Sequence, residues 1–229
     1  MALKDDLERR VKEIFDSSWT TRDGNVVPDD GSVTLGNDAV KLSATVLYAD
    51  LSGSTSMVDT KDKAFSAEVY KSYLHVAAKI INAENGTITA YDGDRIMAVF
   101  IGGSKNSTAA RCALKLNWAV KNIVNPAITS QYGEGYYAVK HVVGIDTSEL
   151  FIAKTGVRGA NDLVWVGRAA NYAAKLSSFN EFPTYITDSV YNALEDKSKY
   201  SKSVDMWQAR TWTAMNNMRV YGSTYWWSL

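Results

Sequence analysis

Two aspartates flank apolar runs at places where carboxylates can do chemistry. Asp50 ends the run 44–49 and opens the segment Asp50-Leu51-Ser52-Gly53-Ser54-Thr55. Asp94 ends Tyr91-Asp92-Gly93-Asp94 and precedes Arg95 and the run Ile96-Met97-Ala98-Val99-Phe100. The first reads as a buried strand that passes through a glycine-containing turn into a helix, where free backbone N–H groups suit phosphate. The second reads as the tight turn of a β-hairpin. Two carboxylates beside a phosphate cradle are what Mg2+ or Mn2+ takes, with substrate oxygens completing the shell. Two such ions about 4 Å apart would activate a hydroxyl nucleophile and stabilise a departing pyrophosphate. Aspartates also serve simply as turn residues, and Asp92 suits that role better than Asp94 does.

The elements that must place these residues follow from hydrophobic period and turn chemistry. An amphipathic helix is predicted over 2–16, carrying Leu3, Leu7, Val11, Ile14 and Phe15 on one stripe. Loop or hairpin chemistry fills 20–42. A strand spans 44–49, and a long helix of roughly 60–83 repeats Phe65, Val69, Tyr73, Ala77, Ile80 and Ile81 on one face. A hairpin pairs 87–91 with 96–101, and a second long helix runs 104–124 with Pro126 just beyond its end. Strands at 136–145 and 162–167, a helix over 168–180, a strand and short helix within 184–195, and an aromatic strand over 219–227 complete the chain. Strand, helix, hairpin, helix, strand is the order of an α+β protein with a ferredoxin-like βαββαβ core, here with an extra N-terminal helix and C-terminal strands. In that layout the first strand lies beside the hairpin, so Asp50 and Asp94 can meet at one end of the sheet. Such a scaffold hosts many functions, so the site has to decide among them.

Composition narrows the classes. Lysine plus arginine equals aspartate plus glutamate at 25 each, so no global field favours nucleic acid or an anionic membrane. A single cysteine, Cys112, and two histidines argue against disulfides and Cys/His zinc sites, as in a reducing compartment. The charged N-terminus lacks a signal-peptide core, and no run approaches the roughly 20 apolar residues of a membrane span. A cytoplasmic protein is expected. A ferredoxin-like sheet could also bind single-stranded RNA through stacking aromatics. The balanced charge and the Asp50/Asp94 pair argue against that reading.

The motifs carry a resemblance. The strand ending in Asp50-Leu51-Ser52-Gly53-Ser54-Thr55 and the Gly93-Asp94 hairpin resemble the two metal motifs of the class III adenylate and guanylate cyclase catalytic domain. Val166-Gly167-Arg168-Ala169-Ala170-Asn171-Tyr172-Ala173-Ala174-Lys175-Leu176 resembles that family's Gly-Asp-x-Val-Asn-x-Ala-Ala-Arg-Leu helix. The resemblance covers 44–178. It implies a nucleotide cyclase domain over 44–229 preceded by an extension of 1–43, with Asp50, Asp94 and the Leu51 carbonyl holding two divalent metal ions, Mg2+ or Mn2+. It also implies that Ser52, Gly53, Ser54 and Thr55 hold the triphosphate and that Asn171 orients the ribose. The family's transition-state arginine falls on Lys175, a point charge without bidentate geometry. Arg168, where the family usually has aspartate, could supply the guanidinium. The family also implies a homodimer whose sites are shared between chains. A degenerate domain that binds nucleotide without chemistry is the reading that Lys175 would favour.

The base pocket departs further. Adenine-reading polar groups of adenylate cyclases fall on Ala90 and Val164, and aromatic Tyr91 and Trp165 stand beside these gaps. Large rings there would favour a small base. With the aromatic C-terminal segment Val220–Trp227, these features resemble the bacterial pyrimidine cyclases of the Pycsar antiphage system. That resemblance implies UTP turned into cyclic UMP, or CTP into cyclic CMP, as a signal for a separate effector protein; an adenylate cyclase with an atypical pocket is the other alternative.

Overall fold

Leu47, Ala49 and Leu51 alternate with Val46, Tyr48 and Asp50 along one strand, and this period of two decides which side of the sheet can carry chemistry. Residues 47, 49 and 51 enter the main core with Tyr73 and Ile96, and the intervening side chains point to the other face. The computed structural model describes residues 2–229. In chain order the elements are α1 (Leu3–Asp16), β1 (Thr20–Asp23), β2 (Asp38–Ser52), α2 (Ser54–Thr60), α3 (Lys63–Ala83), β3 (Thr87–Asp92), β4 (Arg95–Phe100), α4 (Lys105–Ala119), a π-helical turn (Val120–Val124), α5 (Asn125–Tyr132), β5 (Lys140–Val157), β6 (Ala160–Val166), α6 (Arg168–Leu176), β7 (Thr184–Thr187), α7 (Asp188–Asn192), α8 (Asp196–Lys199), β8 (Tyr200–Ser201), β9 (Val204–Asp205), β10 (Gln208–Trp212) and β11 (Met218–Ser223). The chain groups into a larger unit, Ala44–Ser148 with Arg168–Leu229, and a smaller one, Met1–Ser43 with Glu149–Gly167.

In the larger unit the strand order is β10-β11-β7-β5-β2-β4-β3, a mixed α+β fold around a mostly antiparallel sheet. Asp62 caps α3 by accepting the Phe65 amide at 2.9 Å, and the predicted stripe of α3 is the one that is buried. α4 adds Ala109, Ala113 and Leu116 to the same core. α6 packs elsewhere. Val143 and Ile145 of β5 join the main core, whereas Val142 joins Leu176, Phe182, Tyr185, Trp212 and Val220 in a second cluster on the opposite face. The sheet therefore carries helices on both sides, and α6 lies on the face of β5 that Gly144 leaves bare. A β-carbon at Gly144 would sit 2.1 Å from the Ala173 carbonyl oxygen and 2.6 Å from the Ser177 nitrogen.

Several predicted boundaries move for identifiable reasons. β2 begins at Asp38, inside the stretch that turn-forming residues marked as loop, because β1 pairs with Asp38–Lys41 in parallel within the smaller unit. The helix predicted near 60–83 is α3, and a separate short helix, α2, precedes it at Ser54–Thr60. Pro126 falls in the first turn of α5, where a missing N–H costs no hydrogen bond, and the five-residue π turn before it keeps the chain helical. The aromatic strand stops at Ser223. Beyond it, Asn117 Nδ2 donates to the carbonyls of Thr224 and Tyr225 at 3.2 and 2.8 Å, so those groups are taken from any ladder. Strands β8, β9 and β10 went unpredicted; β8 and β9 are two-residue elements too short to show a period.

In the smaller unit β6 pairs antiparallel with Phe151–Val157, Trp19 meets Phe151 edge-on at 5.0 Å, and Asn37 Nδ2 donates to the carbonyls of Ile14 and Ser17. The apolar stripe of α1 is exposed, with no residue of that helix buried. No helix among the described residues is long and apolar enough to cross a membrane.

Gly144→Ala forces α6 away from β5 and is expected to destabilise the protein by about 3 kcal/mol through overpacking. Urea unfolding followed by circular dichroism measures it; a loss below about 1 kcal/mol would show that the helix is not seated by this contact.

Candidate active site

The outward alternation of β2 places Tyr48 and Asp50 on the sheet face away from α3 and α4. Ala49 pairs with Ile96 and Asp92 with Arg95, so the register brings the end of β2 to the base of the β3–β4 hairpin. Its two-residue turn is Gly93-Asp94, and Gly93 takes φ 62°, a left-handed value that a residue with a β-carbon adopts reluctantly. This geometry brings Asp94 to Asp50. Burial first, and the Asp94 charge second, push the Asp50 carboxyl up to about 6, while Arg95 pulls it back. The Tyr73 hydroxyl donates to the Asp50 carbonyl at 3.5 Å from the core side.

The pair fits a hard divalent cation. Asp94 Oδ2 is buried with no hydrogen-bond partner, a cost that a cation would remove. Among the described residues no group of three or more His, Cys, Asp and Glu side chains comes together as a metal site. Such a cation would take its remaining oxygens from substrate and solvent. Leu51 lies 7% exposed in the core, leaving only its backbone for a ligand role. Gly53, at φ 77°, is the N-cap of α2, and the Met57 amide makes the first helical bond to the Gly53 carbonyl at 3.1 Å. The amides of Ser54 and Thr55 thus precede the helical ladder and, with half-buried Ser52, remain free for an anion.

Beside the pair lies a cavity of about 250 Å3 lined by Tyr48, Ala90, Asp92, Arg95, Met97 and Ala174. Arg95 Nη2 donates to Asp92 Oδ2 at 2.7 Å, and the guanidinium sits 5.7 Å from the Tyr48 ring centre. Ala90, marked from sequence as the gap left by a base-reading lysine, is in this wall. Its neighbour Tyr91 is 57% exposed and lines no part of the cavity. Val164 and Trp165 lie on β6 in the smaller unit, opposite Ala153 and Ile152. Tyr48, Asp92 and Arg95 were not singled out as wall residues; the even-numbered period of β2 would have found Tyr48, which shares a face with Asp50.

α6 contributes Ala174 to the wall and exposes Asn171 and Lys175 one turn apart. Lys175 Nζ is 3.9 Å from Met215 Sδ. Arg168 is engaged: Nε donates to the fully buried Asp146 at 3.1 Å, and Nη2 to the Thr147 carbonyl at 2.8 Å and Ser189 Oγ at 2.9 Å. Thr187 Oγ1 donates to the same Asp146 carboxylate.

No family model matches the chain. A uridylate cyclase of Xanthomonas perforans is 53% identical over the whole of both chains, and one of Burkholderia cepacia 52% identical, again end to end. Among solved structures, the adenylyl cyclase CyaB from P. aeruginosa matches with a TM-score of 0.68 at 19% identity, covering 81% of this chain and 95% of that one. The guanylyl cyclase Cya2 matches with a TM-score of 0.67 at 20% identity, covering 82% and 94%. Those two likenesses concern the fold, and the full-length identities carry the assignment: the chain belongs to the uridylate cyclase family, nucleotide cyclases built on the class III fold.

Proposed function

We propose that this enzyme converts UTP to cyclic 3′,5′-UMP and pyrophosphate. The observation that carries the reading is a desolvated Asp50 beside the unpartnered Asp94 Oδ2, next to a small cavity walled by Tyr48 and Arg95. The ring of Tyr48 and a volume of about 250 Å3 suit a one-ring base better than a purine. The names of the full-length relatives favour UTP over CTP.

Asp50 and Asp94, with the Leu51 carbonyl, would hold two divalent ions, Mg2+ or Mn2+. When bound, such ions acidify the ribose 3′-hydroxyl and offset charge on the departing pyrophosphate. The Ser52–Thr55 turn binds the triphosphate through free amides and hydroxyls. Asn171 orients the ribose, and Lys175 places a mobile positive charge against the phosphates. Arg168, its donors committed to Asp146, Thr147 and Ser189, fixes the start of α6 and thereby the position of Asn171 and Lys175. Each site is shared by two chains. In support, among the described residues no hydrogen bond or ion pair joins Asn171 or Lys175 to either aspartate. The cyclic nucleotide acts in the cytoplasm on a separate effector protein in antiphage defence, a role supported by the resemblance of the three motifs.

Incubated with all four ribonucleoside triphosphates and Mn2+, the protein should release cyclic UMP as its main product by mass analysis, and none with chelator present. Cyclic AMP as the sole product would overturn the pyrimidine assignment.

Asp50→Asn and Asp94→Asn should each bring activity to background without lowering the melting temperature of the metal-free protein. The sign follows from the raised Asp50 carboxyl: its charged form is disfavoured in the folded state, so its cost is absent below the unfolded value of 3.8 and grows as pH rises through about 6. The melting-temperature advantage of Asp50→Asn over the parent, in chelator, should therefore be larger at pH 7.5 than at pH 5. A variant that melts several degrees lower at both would mark Asp50 as a turn-stabilising residue.

Asp50→Ala damages the metal half of every site in its homodimer, and Asn171→Ala the ribose half. In a mixed dimer one site collects both lesions and the other neither. Mixing the two inactive proteins should restore part of the parental rate. Background activity after confirmed subunit exchange would place the site within one chain.

A further inference from the structure

Cavity size separates one-ring bases from two-ring bases but leaves uracil and cytosine equal. The wall itself holds the groups that differ. Arg95 is fixed from three directions: by its 2.7 Å bond to Asp92, by the Tyr48 ring at 5.7 Å and by the Asp50 charge. Its side chain is 32% exposed, that of Asp92 75% exposed, so as a surface ion pair they add little to stability. One guanidinium N–H goes to Asp92 Oδ2, leaving other donors of Arg95 free, and Asp92 Oδ1 keeps its lone pairs. A donor and an acceptor thus stand side by side in the wall of the base cavity.

We propose that Arg95 and Asp92 together read the Watson–Crick edge of the base and select uracil over cytosine. The proposal rests on the pyrimidine cyclase reading above and deepens it. Uracil presents an acceptor at O4 beside a donor at N3–H; Arg95 donates to the first and Asp92 accepts from the second, both as charge-assisted bonds. Cytosine in the same register turns both contacts into mismatches. Its N4 amino group meets the guanidinium donors, and its unprotonated N3 meets the carboxylate. A one-position slide does not restore the match for cytosine, because it sets either O2 against the carboxylate or C5–H against the guanidinium, and the Tyr48 and Met97 walls bound larger movements. A site that hydrogen-bonds its substrate leaves its own polar groups unpaired with the wrong one, which makes discrimination steep.

The test compares products from an equimolar mixture of UTP and CTP with Mn2+, for the parent, Arg95→Gln, and the double exchange Asp92→Arg with Arg95→Asp. A glutamine amide can turn either its oxygen or its nitrogen to the base, so the ratio of cyclic UMP to cyclic CMP should fall at least about tenfold. The double exchange keeps an ion pair and reverses donor and acceptor, so cyclic CMP should become the main product. Melting temperatures near the parental value accompany both results. If the double exchange fails to fold, Arg95→Gln alone decides. If a variant turns over too slowly, the ratio of melting shifts given by UTP and CTP replaces the product ratio. A parental enzyme that makes only purine products defeats the pyrimidine reading itself. A parental enzyme that makes cyclic UMP, with its preference unchanged in both variants, overturns this proposal alone.

Discussion

Mutual repulsion between two carboxylates at the end of a sheet sets the terms for the larger unit. Asp50 is partly desolvated and faces Asp94, and one oxygen of Asp94 has no partner. A fold that aimed only at stability would separate them or pair each with a base. Here the backbone forces them together, because β2 and β4 are hydrogen-bonded in register and the two-residue turn leaves Asp94 nowhere else to go. The strain is tolerable since Arg95 supplies partial compensation and the core beneath is closely filled by Tyr73, Phe65 and Ile96, all at 1% exposure or less. A cation between the two carboxylates would relieve that repulsion.

α6 is held by a different device. The helix is short, and its exposed residues Asn171 and Lys175 have no rigid partners of their own. Its position comes from backbone approach at Gly144 and from the clamp of Arg168 on buried Asp146, which Thr187 completes from β7. A buried carboxylate needs its charge answered, and Arg168 answers it while tying the helix start to β5.

Beside the carboxylate pair lies a cavity formed by side chains from β2, β3, β4 and α6. No single segment contains it. Tyr48 shares a face of β2 with Asp50, and Asp92 and Arg95 flank Asp94 in the hairpin, so the cavity wall and the carboxylate pair are built on the same two segments.

The order of strands and helices, the buried stripe of α3, the hairpin turn and the pairing of Asp50 with Asp94 were legible in the sequence, because period, glycine placement and local turn chemistry act over a few residues. Three strongly spaced motifs sufficed to point at the nucleotide cyclase class. Other features depended on partners distant in the chain. The start of β2 at Asp38 is decided by β1, and the end of β11 by Asn117 of α4, which captures the carbonyls that follow it. Arg168 could be read as free for phosphate until Asp146, 22 residues away, was seen to hold it. Ala90 was recognisable as a gap, but the ring that narrows the cavity is Tyr48, from another strand, and not its neighbour Tyr91. Sequence alone determined which residues could do chemistry, since side-chain type and local spacing carry that information. Tertiary structure decided which of them meet, because strand register and helix seating are set by packing across the whole sheet.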